Sequence, residues 1–434
     1  MKRLLSVLLV LLMLTSFLSA AGTAETGAKQ EKQQVLHVMM SSGDAGPGNI
    51  RKALDSAAEL MGITLQYDVI PDDQMLNVTN TRLVTGNAGD IIVHNFGLTD
   101  VSAKDLAPLS GPWVEKITST TKPLTKDGQG NVLKAPLGGE SNMGLLYNKE
   151  VLEASGVSLP IMDYGQFITA LKQVKDAGYT PVYISNKEVW TAQILLLTSM
   201  TSVFANNPEV VEGIVTNTLK PSDVPELVAL WENALSLKTM GLINKDYMSA
   251  TNDMALEALA SGEVAFYAML DNAYGTLKEF YPESVDAIGM MYTPLWDDVE
   301  DGYVLFGTAT NYLSAVAEST NLDLAKEFIN TMLTEQPLKT YYELVPGAVP
   351  YTDLGFSLNM SPFNREMKEY AKMLPSLGDF NNSTYNGETP LEPFYGKFNE
   401  QIQGLFAGLS VEDALERWYE AYAADAQARR VPGF

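Results

Sequence analysis

The 434-residue sequence has no cysteine, only two histidines, and far fewer basic than acidic side chains, 29 against 53. The absence of cysteine excludes disulfides, thiolate zinc sites, iron–sulfur clusters and cysteine nucleophiles. A formal net charge of −24 repels phosphate backbones and anionic lipid, which argues against nucleic acid and membrane surfaces as partners. The sequence therefore predicts a protein that works without sulfur chemistry and without a polyanionic partner.

Catalytic motifs are also missing. The chain has no Gly-x-Ser-x-Gly elbow, no phosphate-binding glycine loop and no His-Glu-x-x-His zinc motif. His37 and His94 each lie in an apolar run, where a hydrogen-bonded core or strand-end histidine is the simpler interpretation. We therefore predict no enzyme activity, no catalytic residue, no metal site and no cofactor. Glycoside hydrolysis stays open as an alternative, because it needs only two carboxylates.

The N-terminus has the three parts of a secretory signal peptide. Lys2 and Arg3 precede an apolar run from 7 to 14, and small residues follow up to Ala24. The run is much shorter than the roughly 20 residues that span a bilayer. We predict a signal peptide over residues 1–24, cut after Ala21 or Ala24, and a polar leader over 25–34. Because no cysteine is available for a lipid anchor, the mature protein is expected to be free in the periplasm.

The first hundred residues alternate between apolar runs and helical patterns. Strands are predicted at 35–40, 63–70 and 90–94, with helices over 49–60 and 74–84. Such alternation is typical of an α/β fold with a mostly parallel, helix-covered sheet. Ligands of these sheets bind beyond the carboxyl ends of the strands, here at Ser41–Gly43 and Asn95–Leu98.

Three later helices have predicted N-caps. Asp163 with Gln166 three residues on indicates the start of one helix, and Gly178 its end. Thr320 or Asn321 precedes a second helical pattern, and Ser410 with Asp413 begins a third.

Residues 133–150 (LKAPLGGESNMGLLYNKE) closely resemble a segment of family 1 extracellular solute-binding proteins, the sugar receptors of ABC importers. In that family the segment forms the hinge and the beginning of the second of two lobes. Other segments resemble the same family in order and spacing: the capped helix 160–175, 178–181 with Trp190, 260–269, 271–274, 288–294, 306–328, and Val349-Pro350. The sequence departs from the family pattern at 162–164, where Thr-Trp-Asp is usual, and at Tyr274, where tryptophan is usual.

The resemblance implies a type II periplasmic-binding-protein fold of two α/β lobes joined by three hinge crossings. The first lobe is expected to comprise 35–137 and 309–348, and the second 138–308 and 349–434. It further implies a monomer that captures a mono- or oligosaccharide between lobes closing by hinge bending, and delivers it to the permease subunits of an ABC transporter.

The same resemblance, with the chemistry of sugars, implies a set of ligand-binding residues. A sugar ring needs aromatic platforms edged by carboxylates, amides and main-chain groups. Trp190 and Tyr274 are the expected platforms, with Tyr395 or Phe394 as a further candidate, and Trp296 is an open case. The expected polar partners are Ser42, Asp44, Asn95, Glu140, Asp271, Asn272 and the main chain of Gly307.

Two alternatives remain open beside the sugar receptor: a secreted glycoside-active enzyme, and a receptor of the same fold for a non-sugar ligand such as a polyamine. The chain has only seven arginines, of which Arg3 leaves with the predicted signal peptide. Because arginine is the residue that best clamps phosphate, this scarcity favours a neutral sugar over a phosphorylated one.

Overall fold

A computed structural model describes residues 34–45, 50–98, 101–118, 121–138, 141–307, 311–344, 349–358, 360–378, 384–385, 389–390 and 397–434. Residues 35–434 form one compact unit. The predicted signal peptide, and the leader up to residue 33, lie outside the described residues.

The described strands and helices alternate through most of the chain. The strands are β1 (Val35–Ser41), β2 (Thr64–Ile70), β3 (Ile91–His94), β4 (Ala135–Pro136), β5 (Ser141–Asn148), β6 (Thr180–Tyr183), β7 (Val264–Leu270), β8 (Ile288–Met291), β9 (Val304–Gly307), β10 (Tyr312–Ala315), β11 (Ser376–Gly378), β12 (Thr384–Tyr385) and β13 (Thr389–Pro390). The helices are α1 (Ser42–Ala45), α2 (Arg51–Met61), α3 (Met75–Thr85), α4 (Lys149–Ala154), α5 (Tyr164–Asp176), α6 (Val189–Ala192), α7 (Ile194–Asn206), α8 (Pro208–Val215), α9 (Pro225–Thr239), α10 (Asn252–Ala260), α11 (Ala273–Phe280), α12 (Leu322–Met332), α13 (Glu335–Leu344), α14 (Pro362–Tyr370), α15 (Asn399–Ala407) and α16 (Val411–Ala428).

Two mostly parallel sheets organise the fold, as the sequence predicts. The first has the order β2-β1-β3-β10-β4, and the second has the order β11-β9-β5-β7-β6 with β8 also paired to β5. In each sheet one strand runs against all of its neighbours: β10 in the first and β5 in the second. The chain forms both strands directly after it passes from the other sheet, whereas β11, formed after a later passage, runs parallel to β9.

Each sheet has its own hydrophobic core. In β1, Leu36, Val38 and Met40 face one core, which α2, α12 and α13 complete. Met39 faces a smaller cluster on the other side of the first sheet. The run is apolar at successive positions because both faces of this sheet are covered. We call this sheet with its covering elements the first lobe.

The second core surrounds the second sheet and forms what we call the second lobe. Trp231 of α9 and Trp418 of α16 are fully buried there and stack with ring centroids 6.1 Å apart. Their structural role agrees with their helical sequence context. The sequence predicts a lobe boundary at residue 349. Tyr351, just after it, is still buried in the first core. The next helix, α14, packs through Phe363 into the second core.

Two of the predicted helix caps form as expected. Asp163 Oδ1 accepts a hydrogen bond from the Gln166 backbone at 2.7 Å, and Ser410 Oγ accepts one from the Asp413 backbone at 3.0 Å. Asn321 occupies the cap position of α12, but its side chain makes no capping bond and donates to the Asp90 carboxylate instead. Among the described helices, none combines the length and the apolar character that a membrane crossing requires.

Candidate functional site

The carboxyl ends of β1, β2 and β3 meet the start of β10 along one edge of the first sheet, which we call the first edge. Asp44 follows β1 and accepts hydrogen bonds from Ser41 Oγ at 3.0 Å and from Asn311 Nδ2 at 2.8 Å. Burial raises the pKa of the Asp44 carboxyl to about 6, with a smaller contribution from the charge of Asp72, although both hydrogen bonds lower it. Asp44 is therefore a fixed acceptor whose charge varies near neutral pH.

Other residues of the first edge are more open to solvent. Asp72 follows β2 and accepts a hydrogen bond from the Gly43 backbone at 2.9 Å, which ties the ends of β1 and β2 together. Ser42 and Asn95, both predicted ligand residues, are exposed on this edge. Both side chains are accessible to solvent on the first lobe.

His94 ends β3 and is buried. Its Nε2 atom lies 2.9 Å from Ser314 Oγ, and its Nδ1 atom accepts the Phe96 backbone N–H at 3.2 Å. Burial, together with the nearby charge of Lys134, lowers the pKa of His94 to about 3. A neutral, hydrogen-bonded strand-end histidine is the structural role that the sequence favoured.

The second sheet has a matching edge, formed by the carboxyl ends of β6, β7 and β9 and the start of β5, which we call the second edge. Trp190 lies on the short helix α6 just beyond β6 and is 36% exposed. Hydrogen bonds hold its helix in place: Thr191 Oγ1 donates to the Ser185 carbonyl at 2.7 Å and accepts from Ser185 Oγ at 2.9 Å. A large aromatic ring is thus presented to solvent on a fixed support.

Asp271 follows β7 and is fully buried. Its Oδ2 atom accepts hydrogen bonds from the backbone of Asn142 at 3.0 Å, from Asn142 Nδ2 at 2.7 Å and from Asn364 Nδ2. Oδ1 is buried and has no hydrogen-bond partner among the described residues. Burial raises the pKa of this carboxyl to about 7, despite the hydrogen bonds that lower it. Asp271 therefore joins β7 to the starts of β5 and α14.

Tyr274, the second predicted platform, lies in the first turn of α11 and is half-buried. Its ring packs edge-on against Phe363, with centroids 5.3 Å apart, so one side of the ring is occupied by the second core. Asn272, which is also half-buried, precedes the helix. Gly307 pairs with Ser141 at the same edge of the sheet.

An electrostatic interaction connects the two edges. Glu188 of the second edge has a raised pKa, chiefly because it is partly buried, and the charges of Asp253 and of Asp72 raise it further. Because Asp72 belongs to the first edge and Glu188 to the second, one carboxylate from each lobe lies within electrostatic reach of the other.

The structure places the predicted ligand residues on these two edges. The first edge carries Ser42, Asp44 and Asn95, and the second carries Trp190, Asp271, Asn272, Tyr274 and Gly307. Glu140, Phe394 and Tyr395 lie outside the described residues. Trp296 packs partly buried against the second core.

Sequence reasoning missed Asp72, Glu188 and Asn311. Asp72 follows Pro71, which ends a strand, so the strand-end rule that identified Ser42 could have identified it as well. Glu188 and Asn311 had no such signal, because the first belongs to a loop after β6 and the second precedes a reversed strand.

A groove of about 680 Å³ lies elsewhere, on the second lobe beside β6, where its walls include Tyr179, Ile243 and Glu257. None of the predicted ligand residues contributes to it. Within the part of the chain that the structure describes, no group of three or more histidine, aspartate or glutamate side chains is arranged to hold a metal ion.

Several solved structures share this fold. A sugar transporter from Bacillus licheniformis in complex with stachyose matches with a TM-score of 0.71 and 17% identity, over 90% of this chain and 100% of its own. A chitin oligosaccharide binding protein matches with a TM-score of 0.72 and 16% identity, over 90% and 98% of the two chains. An ABC transporter binding protein from Bifidobacterium animalis subsp. lactis, in complex with mannobiose, matches with a TM-score of 0.68 and 16% identity, over 91% and 95%.

These likenesses establish the two-lobed type II binding-protein fold that the sequence predicted. No curated protein matches the sequence significantly. The family model for bacterial extracellular solute-binding proteins matches residues 51–338, which is more than half of the chain. The chain therefore belongs to the family of bacterial extracellular solute-binding proteins.

Proposed function

We propose that this protein is the carbohydrate receptor of an ABC importer. The observation that carries the proposal is the exposed, supported ring of Trp190 on the second edge. An indole face covers the apolar side of a sugar ring, while carboxylates and amides bind the hydroxyls at its rim. Relatives of the same fold that were solved with stachyose and mannobiose support a sugar as the class of ligand.

In this proposal the ligand binds between the two edges and brings the lobes together. Ser42, Asp44 and Asn95 approach it from the first lobe, and Trp190, Asn272 and Tyr274 from the second. A ligand that contacts both lobes favours the arrangement in which both sets of contacts form. The resulting surface, continuous across the two lobes, is what a permease would recognise. We further propose that the protein works in the periplasm after removal of a signal peptide, as a monomer without catalytic activity.

A panel of neutral mono- and oligosaccharides, screened by thermal shift and followed by calorimetry, tests the proposal. A ligand that binds only the folded state raises the unfolding midpoint by an amount that grows with its concentration. Saturable binding with no change in the sugar is the expected result. Release of shorter sugars would establish the glycoside-active enzyme instead, and the absence of binding across the panel would contradict the carbohydrate proposal.

A cationic ligand is the second candidate, and the two carboxylates, one from each lobe, that lie within electrostatic reach of each other favour it. Asp72 and Glu188 are both acidic and interact electrostatically. A polyamine or an amino sugar bound near them would neutralise their negative charges. Including spermidine and glucosamine oligomers in the panel separates the candidates. Binding of spermidine alone would identify a polyamine receptor, whereas binding of both neutral and amino sugars would identify a sugar receptor.

A further inference from the structure

The two lobes contact each other directly through α11 and α13. The helix α11 begins immediately after β7, and its inner residue Leu277 is buried in the second core. The helix α13 belongs to the first core through Tyr341 and Tyr342. Gly275 of α11 approaches so closely that a Cβ atom at this position would overlap the carbonyl oxygen of Leu344. The contact thus joins two helices that belong to different cores.

An ion pair reinforces this contact. Lys52 Nζ, in the first turn of α2, lies 2.5 Å from Glu279 Oε1, in the last turn of α11. Lys52 stands on a helix of the first core, since Ala53 and Leu54 beside it are buried there. Among the ion pairs between described residues, this is the one that connects the two lobes. It therefore contributes to the position of one lobe relative to the other.

The helix that receives this ion pair also carries Tyr274, one residue before Gly275. We propose that Lys52 and Glu279 are a positioning pair that holds the Tyr274 helix against the first lobe and stabilises the lobe arrangement seen here. The pair acts on the equilibrium between lobe arrangements, with or without ligand. Its effect on ligand affinity rests on the proposed function, but its effect on the distance between the lobes does not.

The expected size of the effect follows from the exposure of the pair. The Lys52 side chain is 54% exposed and that of Glu279 is 26% exposed, so solvent and salt screen their attraction. An ion pair of this exposure changes the equilibrium constant between two lobe arrangements about two- to five-fold. Such a shift between two lobe arrangements is measurable, whereas its effect on overall stability would be small.

The experiment measures the distance between two spin labels, one on each lobe, by double electron–electron resonance in the full-length protein without ligand. Because the sequence has no cysteine, Glu59→Cys on α2 and Lys172→Cys on α5 provide the two label sites with no background. Lys52→Glu should broaden the distance distribution and populate larger separations, because it places two carboxylates together. The double variant Lys52→Glu with Glu279→Lys should restore the original distribution. The broadening should be weaker in 1 M salt than in 0.05 M salt, since screening shortens the range of the repulsion.

A matched control comes from within one lobe. Lys339 and Glu335 of α13 form an ion pair of 2.6 Å, four residues apart on the same helix. The lysine is about as exposed as Lys52, 45% against 54%, whereas the glutamate is more exposed than Glu279, 61% against 26%. Lys339→Glu should leave the distance distribution unchanged. An unchanged distribution in Lys52→Glu, no restoration in the double variant, or equal broadening in Lys339→Glu would each overturn the proposal.

The affinity measurement separates the two proposals. If a sugar ligand is found, Lys52→Glu should weaken its binding about two- to five-fold and the double variant should recover it. If no sugar binds, the proposed function fails while the distance measurement still decides whether the positioning pair exists. Equal affinity in the wild type and in Lys52→Glu, together with a broadened distance distribution, would overturn the link between the pair and the ligand.

Discussion

At the scale of single residues, burial separates side chains that look alike in the sequence. Asp44 and Asp271 both follow a strand, and the family resemblance gives both a role in ligand binding. Asp44 as a residue is partly exposed on the first edge, although its carboxyl group is buried, whereas Asp271 is fully buried and holds together three segments of the second lobe. The sequence supplies the strand end, but it does not supply the depth of the side chain below the surface.

The buried carboxyl of Asp271 predicts a pH dependence of stability. Its folded pKa is raised from 3.8 to about 7, so the folded state favours the protonated form. The favourable contribution is complete below about pH 4 and is lost as the pH rises to about 7. Asp271→Asn, which stays neutral, should therefore lose less stability between pH 4 and pH 8 than the wild type, by on the order of 4 kcal/mol.

Urea unfolding at several pH values measures this difference. Asp271→Ala should destabilise the protein at every pH, because it leaves the amides of Asn142 and Asn364 buried without their acceptor. Parallel stability curves for the wild type and Asp271→Asn would contradict the raised pKa.

Trp190 and Trp418 form a matched pair for separating binding from stability. Trp190→Ala should weaken sugar binding about tenfold, because an aromatic platform contributes about 1.5 kcal/mol to the binding free energy. Because the ring is exposed, the free energy of unfolding should change little. Trp418→Ala removes a fully buried ring from the second core and should cost about 3–5 kcal/mol in the free energy of unfolding. Calorimetric titration and chemical unfolding of both variants test this. Unchanged binding in Trp190→Ala would remove Trp190 from the site.

At the scale of elements, local sequence signals predicted much of the fold. The first three strands and the two helices between them lie within about two residues of their predicted positions, because apolar runs and turn residues mark them clearly. The reversal of β5 and β10 was not predictable from local patterns, since strand direction depends on where the chain enters each sheet. The contribution of Glu188 and Asn311 to the facing edges depends on the same long-range arrangement.

The terminal helix α16 provides a test of capping energetics. Ser410 Oγ accepts the Asp413 backbone N–H, and Ser410→Ala should lower the free energy of unfolding by about 1 kcal/mol. Ser284 precedes a short 3₁₀ helix without a side-chain capping bond, so Ser284→Ala should change stability by less than about 0.5 kcal/mol. Urea unfolding of both variants makes the comparison, and equal effects would mean that the Ser410 bond contributes nothing specific.

At the scale of the whole molecule, each lobe has its own core, and this separation predicts that the lobes move relative to each other as rigid bodies. Binding of a saturating ligand should lower the radius of gyration measured by small-angle X-ray scattering, while the circular dichroism spectrum stays constant. The physical reason is that the lobes move as bodies whose internal packing is preserved. An unchanged radius with a bound ligand would mean that the lobes are already as close without it as with it.

The position of β10 has a consequence for biosynthesis. This strand lies between β3 and β4 in the first sheet, yet the chain that supplies it comes after nearly all strands of the second sheet. The N-terminal lobe therefore cannot complete its sheet until residue 315 has been synthesised, and a nascent chain ending before Tyr312 lacks the strand that joins β3 to β4. For the periplasmic location that we propose, this order means that the first lobe stays incomplete while most of the polypeptide is still emerging.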